Sequence, residues 1–132
     1  MVELSRSAYN AQTSLSGKAV SSEQIERRLM AILMADVAGY SRLIGVDDEG
    51  TFAQLNAHHT ELIEPKIKEH RGRIARTTGD GLLALFGSVV DAVECAVVLQ
   101  REMGKRNEDT PQSRRILARI GINLGDVIID GE

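Results

Sequence analysis

The sequence predicts an α+β domain, a ferredoxin-like βαββαβ antiparallel sheet with its helices on one face. Three observations carry that expectation. The apolar run LMAILMADV stops abruptly at Asp36-Val37. The stretch RIARTTGDGLLALF sets two short apolar runs on either side of a Thr78-Gly79-Asp80-Gly81 turn, the pattern of a β-hairpin. A segment with helical periodicity follows each of these units, and a last apolar stretch, RRILARIGINLGDVIID, completes the order.

Residues 1–28 read as a flexible N-terminal tail, rich in Ser and poor in large apolar side chains. Within it, Ser22 to Arg28 predicts a short helix with Ser21 or Ser22 as its cap and Glu26 in its first turns. Residues 29–132 are assigned to the domain itself. LMAILMADV is short and ends sharply, which favours a buried strand. Asp47 to Glu69 predicts a helix, with Phe52, Leu55, Leu62, Ile63 and Ile67 on one apolar face. Pro65 is expected to kink or divide it, and Gly72 to stop it. RIART and LLALF are the two strands of the hairpin. Ser88 is the cap of the next helix, and Asp91 supplies negative charge to its first turn. Val89, Val93, Ala96, Val97 and Gln100 share a face of that helix, with Cys95 beside it. The helix is expected to fade in the polar, solvated loop GKRNEDTPQS. RRILARIGINLGDVIID reads as one or two strands, bent at Gly121 or Gly125.

Hydrophobic residues make up 42% of the chain but aromatics only 3%, without Trp, so the core must be aliphatic. A net charge of −3 argues against nucleic acid as the main partner. The one cysteine, Cys95, leaves no internal disulfide and suits a reducing compartment. No secretory signal stands at the N-terminus, and no apolar stretch reaches the roughly 18 residues of a membrane helix. A cytoplasmic domain without a membrane segment is expected.

Topology then brings two acids together. A helix joins the first strand to the second, so both run in the same direction and end at the same sheet edge. The first ends at Asp36 and the second at the Gly79-Asp80 turn, and in this pattern the return strand inserts beside the first. Two carboxylates held close repel unless a proton or cation lies between them. Neither motif has His or Cys near it in sequence, which disfavours zinc. Mg²⁺ prefers carboxylates, water and the phosphates of its substrate. Val37, Ala38, Gly39 and Tyr40 lead into a helix start, where free amides suit phosphate, and Gly39 allows close approach. Taken singly, Asp36 and Asp80 are ordinary turn residues. Only their pairing at one edge points to a cation. His58, His59 and His70 are read as surface residues, Cys95 as a small core residue, and Arg73, Arg114 and Arg115 as strand-edge charges.

LMADVAGYSRL followed by ARTTGDGLLALF resembles the catalytic domain of the bacterial class III nucleotidyl cyclases, the adenylate and guanylate cyclases, and GINLGDVIIDG resembles their later segment. The resemblance runs from about Leu29 to Glu132. It implies that Asp36 and Asp80 bind two Mg²⁺ or Mn²⁺ ions, with the Val37 carbonyl as a further ligand, and that the amides of Ala38, Gly39 and Tyr40 hold a triphosphate. The implied reaction is attack of a ribose 3′-hydroxyl on the α-phosphate of a nucleoside triphosphate, ATP rather than GTP. Its products are the 3′,5′-cyclic monophosphate and pyrophosphate, formed between two ions about 3.5–4 Å apart. A head-to-tail homodimer is the implied assembly.

Two departures qualify what the resemblance implies. Arg76 stands where adenylate cyclases commonly carry an adenine-reading lysine, and its larger, forked head is not equivalent in a tight base pocket. The family's base-reading acid, asparagine and arginine come after GDVIIDG, and Asp130 lies too early to replace that acid. The 132 residues are therefore expected to bind metal and nucleotide but to turn over weakly or not at all. The alternative is a non-catalytic nucleotide-binding or dimerisation module derived from a cyclase. A diguanylate cyclase fits less well, because TGDGL carries one acid where that turn has two.

Overall fold

The computed structural model describes residues 2–6 and 25–130 of the chain. Five strands form one sheet: β1 (Val2–Arg6), β2 (Ile25–Val37), β3 (Gly72–Thr77), β4 (Leu82–Phe86) and β5 (Ala118–Asp130), in the spatial order β1-β5-β2-β4-β3. β2, β3, β4 and β5 are the four strands of the expected pattern. β4 lies between β2 and β3, antiparallel to both, so β2 and β3 run in the same direction. β1 adds a parallel edge strand beside β5.

The reading of residues 1–28 as a tail is corrected at both ends. Val2–Arg6 is a strand, and Ile25–Arg28 extends β2 instead of forming a helix. The cause is pairing, because β5 supplies a partner for each of those residues, from Ile25↔Asp130 to Arg28↔Val127. A ladder that pairs Ile25–Arg28 with β5 outweighs a weak local helix preference. Residues 7–24 of the expected tail lie outside the described residues.

The β2–β5 pairing is unbroken from Ile25 to Val37, so the final segment is one strand without a break at Gly121 or Gly125. That strand begins only at Ala118. Arg114 ends a single 3-10 turn (Gln112–Arg114), and Arg115 donates to the Thr110 carbonyl at 3.0 Å, so neither is a strand-edge charge.

Alternation along the strands builds two apolar layers. Ala31, Leu33, Leu82, Ala84, Phe86, Ile120 and Ile122 face the helices. Ile32, Leu85 and Val127 face the other way, with Met30, Met34, Leu83 and Ile129 packed around them. On the helical side lie α1 (Tyr40–Val46), α2 (Asp48–His58), α3 (Glu64–Glu69) and α4 (Val89–Glu108). A π-turn, His59–Ile63, joins α2 to α3 and divides the single predicted helix. It places Pro65 in the first turn of α3, where its missing N–H leaves no bond unmade. Leu62 and Ile67 then reach the core, while Phe52 remains exposed. The chain reverses after α3 through Arg71, which takes the left-handed conformation (φ 64°), and not through Gly72. Gly72 instead begins β3 against the ring of Phe86.

Ser88 caps α4 as expected, its hydroxyl accepting from the Asp91 amide at 3.3 Å. The buried face of α4 is Ala92, Cys95, Ala96, Leu99, Met103 and Asn107, so Cys95 is central to it and Val97 lies outside. The helix also continues through the predicted loop to Glu108. Buried Asn107 secures that end, its amide donating to the Ile116 carbonyl at 2.9 Å and its carbonyl accepting from the Ile116 amide at 3.3 Å. No helix among the described residues is long and apolar enough to cross a membrane.

Candidate cation and nucleotide site

Asp36 stands near the end of β2, on the face that the helices do not cover. Its cross-strand partner in register is Arg119 of β5. Such directly opposed pairs place their side chains in reach of one another. Arg119 Nε donates to Asp36 Oδ1 at 2.7 Å and Nη2 to Oδ2 at 3.0 Å, a forked, bidentate ion pair. The hydrogen bond to Asp36, then the charge of Asp36 and, more weakly, that of Asp80 raise the pKa of Arg119. Both acids thus act on one guanidinium.

The hairpin turn rests against the end of β2. Thr78 N–H donates to the Gly81 carbonyl at 2.8 Å, and Gly81 N–H to Thr78 Oγ1 at 3.1 Å. A Cβ on Gly81 would stand 2.8 Å from the Ala35 carbonyl oxygen and 3.6 Å from Asp36 Cβ, so the turn can approach this closely only with glycine there. Asp36, Val37 and Asp80 line one cavity mouth. A hard cation suits this donor set of two carboxylates and a carbonyl. Among the described residues no group of three His, Cys, Asp or Glu converges anywhere. A cation at this edge therefore draws its remaining ligands from water or substrate, and it competes with Arg119 for Asp36.

The segment after Asp36 holds only part of the expected phosphate cradle. Gly39 takes φ 67°, a conformation that glycine adopts freely, and precedes the helix start at Tyr40. The first helical bond runs from Leu43 N–H to the Gly39 carbonyl at 3.1 Å. Ala38 N–H, expected to be free, already donates to the Leu117 carbonyl at 2.8 Å. The Gly39 and Tyr40 amides come before the helical ladder. The Tyr40 hydroxyl lies beside Gly79, 3.6 Å from where its Cβ would be, and links helix start to turn. Arg76 is exposed on β3, next to an irregularity in the β3–β4 pairing at Ile74/Arg76.

Sequence reasoning missed two residues at this edge. Arg119 could have been found only from the β2–β5 register. His58, expected at the surface, is only 5% exposed, because the last turn of α2 faces inward, and it lines the same cavity. His59 lies 3.7 Å from Glu64, and His70 Nδ1 is 2.8 Å from the Lys66 carbonyl oxygen, both partly buried.

No protein-family model matches the chain. It is 49% identical over 108 residues to the Rhizobium meliloti (strain 1021) protein named "Putative adenylate cyclase 3", covering 82% of this chain and 18% of that one. An adenylate/guanylate cyclase/hydrolase from Silicibacter pomeroyi is 47% identical with a TM-score of 0.74, over 82% of this chain and 63% of that one. This chain belongs to the adenylate/guanylate cyclase family. The guanylyl cyclase Cya2 extends the likeness at 30% identity and a TM-score of 0.67, over 78% of this chain and 57% of that one. The cyclase segment described here thus spans about a fifth of its curated Rhizobium relative and under two thirds of these structural relatives.

Proposed function

We propose that this chain is the cation- and triphosphate-binding part of a class III cyclase domain. In that reading the family's residues, matched one by one, are Asp36, Asp80 and the Val37 carbonyl for two Mg²⁺ or Mn²⁺ ions. The Gly39 and Tyr40 amides hold the triphosphate, together with Ala38 if its bond to Leu117 opens. Arg76 is the candidate base contact, and ATP is favoured over GTP on the name of the Rhizobium relative. The observation that carries the reading is the seating of the Asp80 turn against Asp36 at one sheet edge, in a chain homologous to cyclases.

When bound there, the ions would activate the ribose 3′-hydroxyl and neutralise the leaving pyrophosphate. The protein's part is to hold two carboxylates at a fixed spacing through the rigid β2–β4 ladder and the glycine-tight turn, so that little reorganisation is left for the reaction. Arg119 holds Asp36 in place through its forked pair of hydrogen bonds. A head-to-tail homodimer in the cytoplasm, the assembly the family resemblance implies, completes the proposal. One observation favours a second reading, a non-catalytic nucleotide-binding or dimerisation module: Arg119 already neutralises Asp36.

Calorimetry of ATP and GTP binding with Mn²⁺, beside an assay for cyclic nucleotide, tests both readings. Binding that needs Mn²⁺ and is lost in Asp36→Ala and Asp80→Ala supports the cation site. Little cyclic product is expected from the 132-residue chain, because groups that act only in the transition state raise rate more than affinity. Binding indifferent to both substitutions would falsify the site.

A further inference from the structure

A cavity of about 280 Å³ lies on the helical side of the same sheet edge. Phe52, Leu55, Ile63, Met103 and Ile116 give it a largely apolar wall, and residues 77–82 border it at the hairpin. Ala35, Val37 and Ala118 close it from the sheet, and all three belong to the helix-facing apolar clusters. The Asp36 carboxylate pairs with Arg119 on the opposite face. Asp36 and Asp80 themselves border the cavity, so it opens onto the edge that carries the proposed cation site.

His58 lines this cavity at the junction of α2 and the π-turn, where irregular helical geometry often marks a functional site. It is 5% exposed, and neither ring nitrogen has a hydrogen-bond partner. A buried polar group left unpaired destabilises the fold unless a ligand or water satisfies it. An imidazole unpaired in an apolar wall resembles the single orienting group of a ligand pocket. Burial first, then the charge of Arg106, lower its pKa against an opposing effect of Glu61. The neutral ring offers one donor and one acceptor. An apolar cavity of about 150 Å³ admits benzene, so this one has room for a bicyclic ring system.

We propose that the cavity binds a small uncharged amphiphile of about bicyclic size. Its apolar body packs on Leu55, Met103 and Ile116, and one hydroxyl or ring N–H pairs with His58. The site shares its edge, Asp36 and the Asp80 turn, with the proposed cation site, but the proposal rests on His58 and the apolar wall and is tested without metal or nucleotide. The probe is 2-naphthol, titrated into the full chain and followed by amide and imidazole NMR, with naphthalene as the control that lacks a polar group. Saturable 2-naphthol binding is expected, with shifts at the His58 ring and the Gly79 and Gly81 amides. His58→Leu keeps the bulk and removes the nitrogens. It should weaken 2-naphthol about tenfold, the worth of one buried hydrogen bond, and leave naphthalene within about twofold. No saturation by 2-naphthol in the wild-type chain, or saturation with shifts away from His58 and the hairpin turn, overturns the proposal without any variant. So does an affinity that His58→Leu leaves unchanged.

Discussion

Arg119 and His58 show how much one side chain decides here. The Arg119 fork occupies both oxygens of Asp36, so a divalent ion reaches that carboxylate only by sharing or displacing it. Both partners are about half exposed, and such pairs are weak. Arg119→Gln is therefore expected to raise Mn²⁺ affinity modestly, about two- to five-fold, as read by Mn²⁺ paramagnetic resonance. A lower affinity would show that Arg119 orders Asp36 for the ion and does not compete with it. His58 sets a pH dependence of stability. Its pKa is lowered in the fold from about 6.5, chiefly by burial, so the unfolded chain takes up the proton first. Stability is complete above about pH 6.5 and falls as pH drops below it. Thermal midpoints at about pH 7.5 and pH 5.5 should differ in the wild type and differ less in His58→Leu. Equal slopes in the two proteins would assign the effect to other groups.

Two neighbours at the start of β3 carry opposite backbone demands. Arg71 is held at φ 64°, which costs a side-chain-bearing residue about 1–2 kcal/mol. Glycine removes that cost and returns about 0.4–1 kcal/mol of it as freedom of the unfolded chain. Arg71→Gly should thus stabilise by about 0.5–1 kcal/mol, since its contact with Asp91 is long, 3.5 Å, and its own side chain is largely exposed. Gly72 has no such freedom to give. A Cβ there would meet the Phe86 ring at 2.4 Å and Ile67 Cγ2 at 2.9 Å, so Gly72→Ala is expected to cost about 1–3 kcal/mol by overpacking. Urea midpoints of the two variants should move in opposite directions. Movement in the same direction would mean that the reversal after α3 relaxes as a unit.

At the scale of the whole molecule, the helix-free face of the sheet is apolar at its centre but not bare. Ile32, Leu85 and Val127 are almost fully buried, whereas Met34 and Leu83, paired across β2 and β4 on the same face, are partly exposed. The strand sequences alone imply a wider open surface. The proposed pairing of two chains across this face predicts concentration-dependent sedimentation of the 132-residue chain. Met34→Lys combined with Leu83→Lys, both partly exposed on this face, should shift the equilibrium toward monomer. A single monomeric species at high concentration would count against pairing.

The order of strands and helices was legible from residue pattern, because periods of two and of 3.6 are local properties. LMAILMADV, the Thr-Gly-Asp-Gly turn and the Ser88 cap all lie where pattern and turn chemistry put them. The placing of the Asp80 turn beside Asp36 also followed from order alone, since a helical crossover forces parallel strands to end at one edge. Register did not follow. Nothing local distinguishes Arg119 from Arg115, yet pairing of β2 with β5 sets Arg119 opposite Asp36 and leaves Arg115 off the sheet. The inward face of α4 was misjudged by part of a turn because Val and Ala satisfy the same period, and contact with the sheet chose Cys95 and Leu99 over Val97. Residues 25–28 became strand because a partner strand existed for them, and His58 was buried because the sheet edge closed over the end of α2. Those choices depend on which surfaces meet, and that is settled by packing between segments distant in sequence.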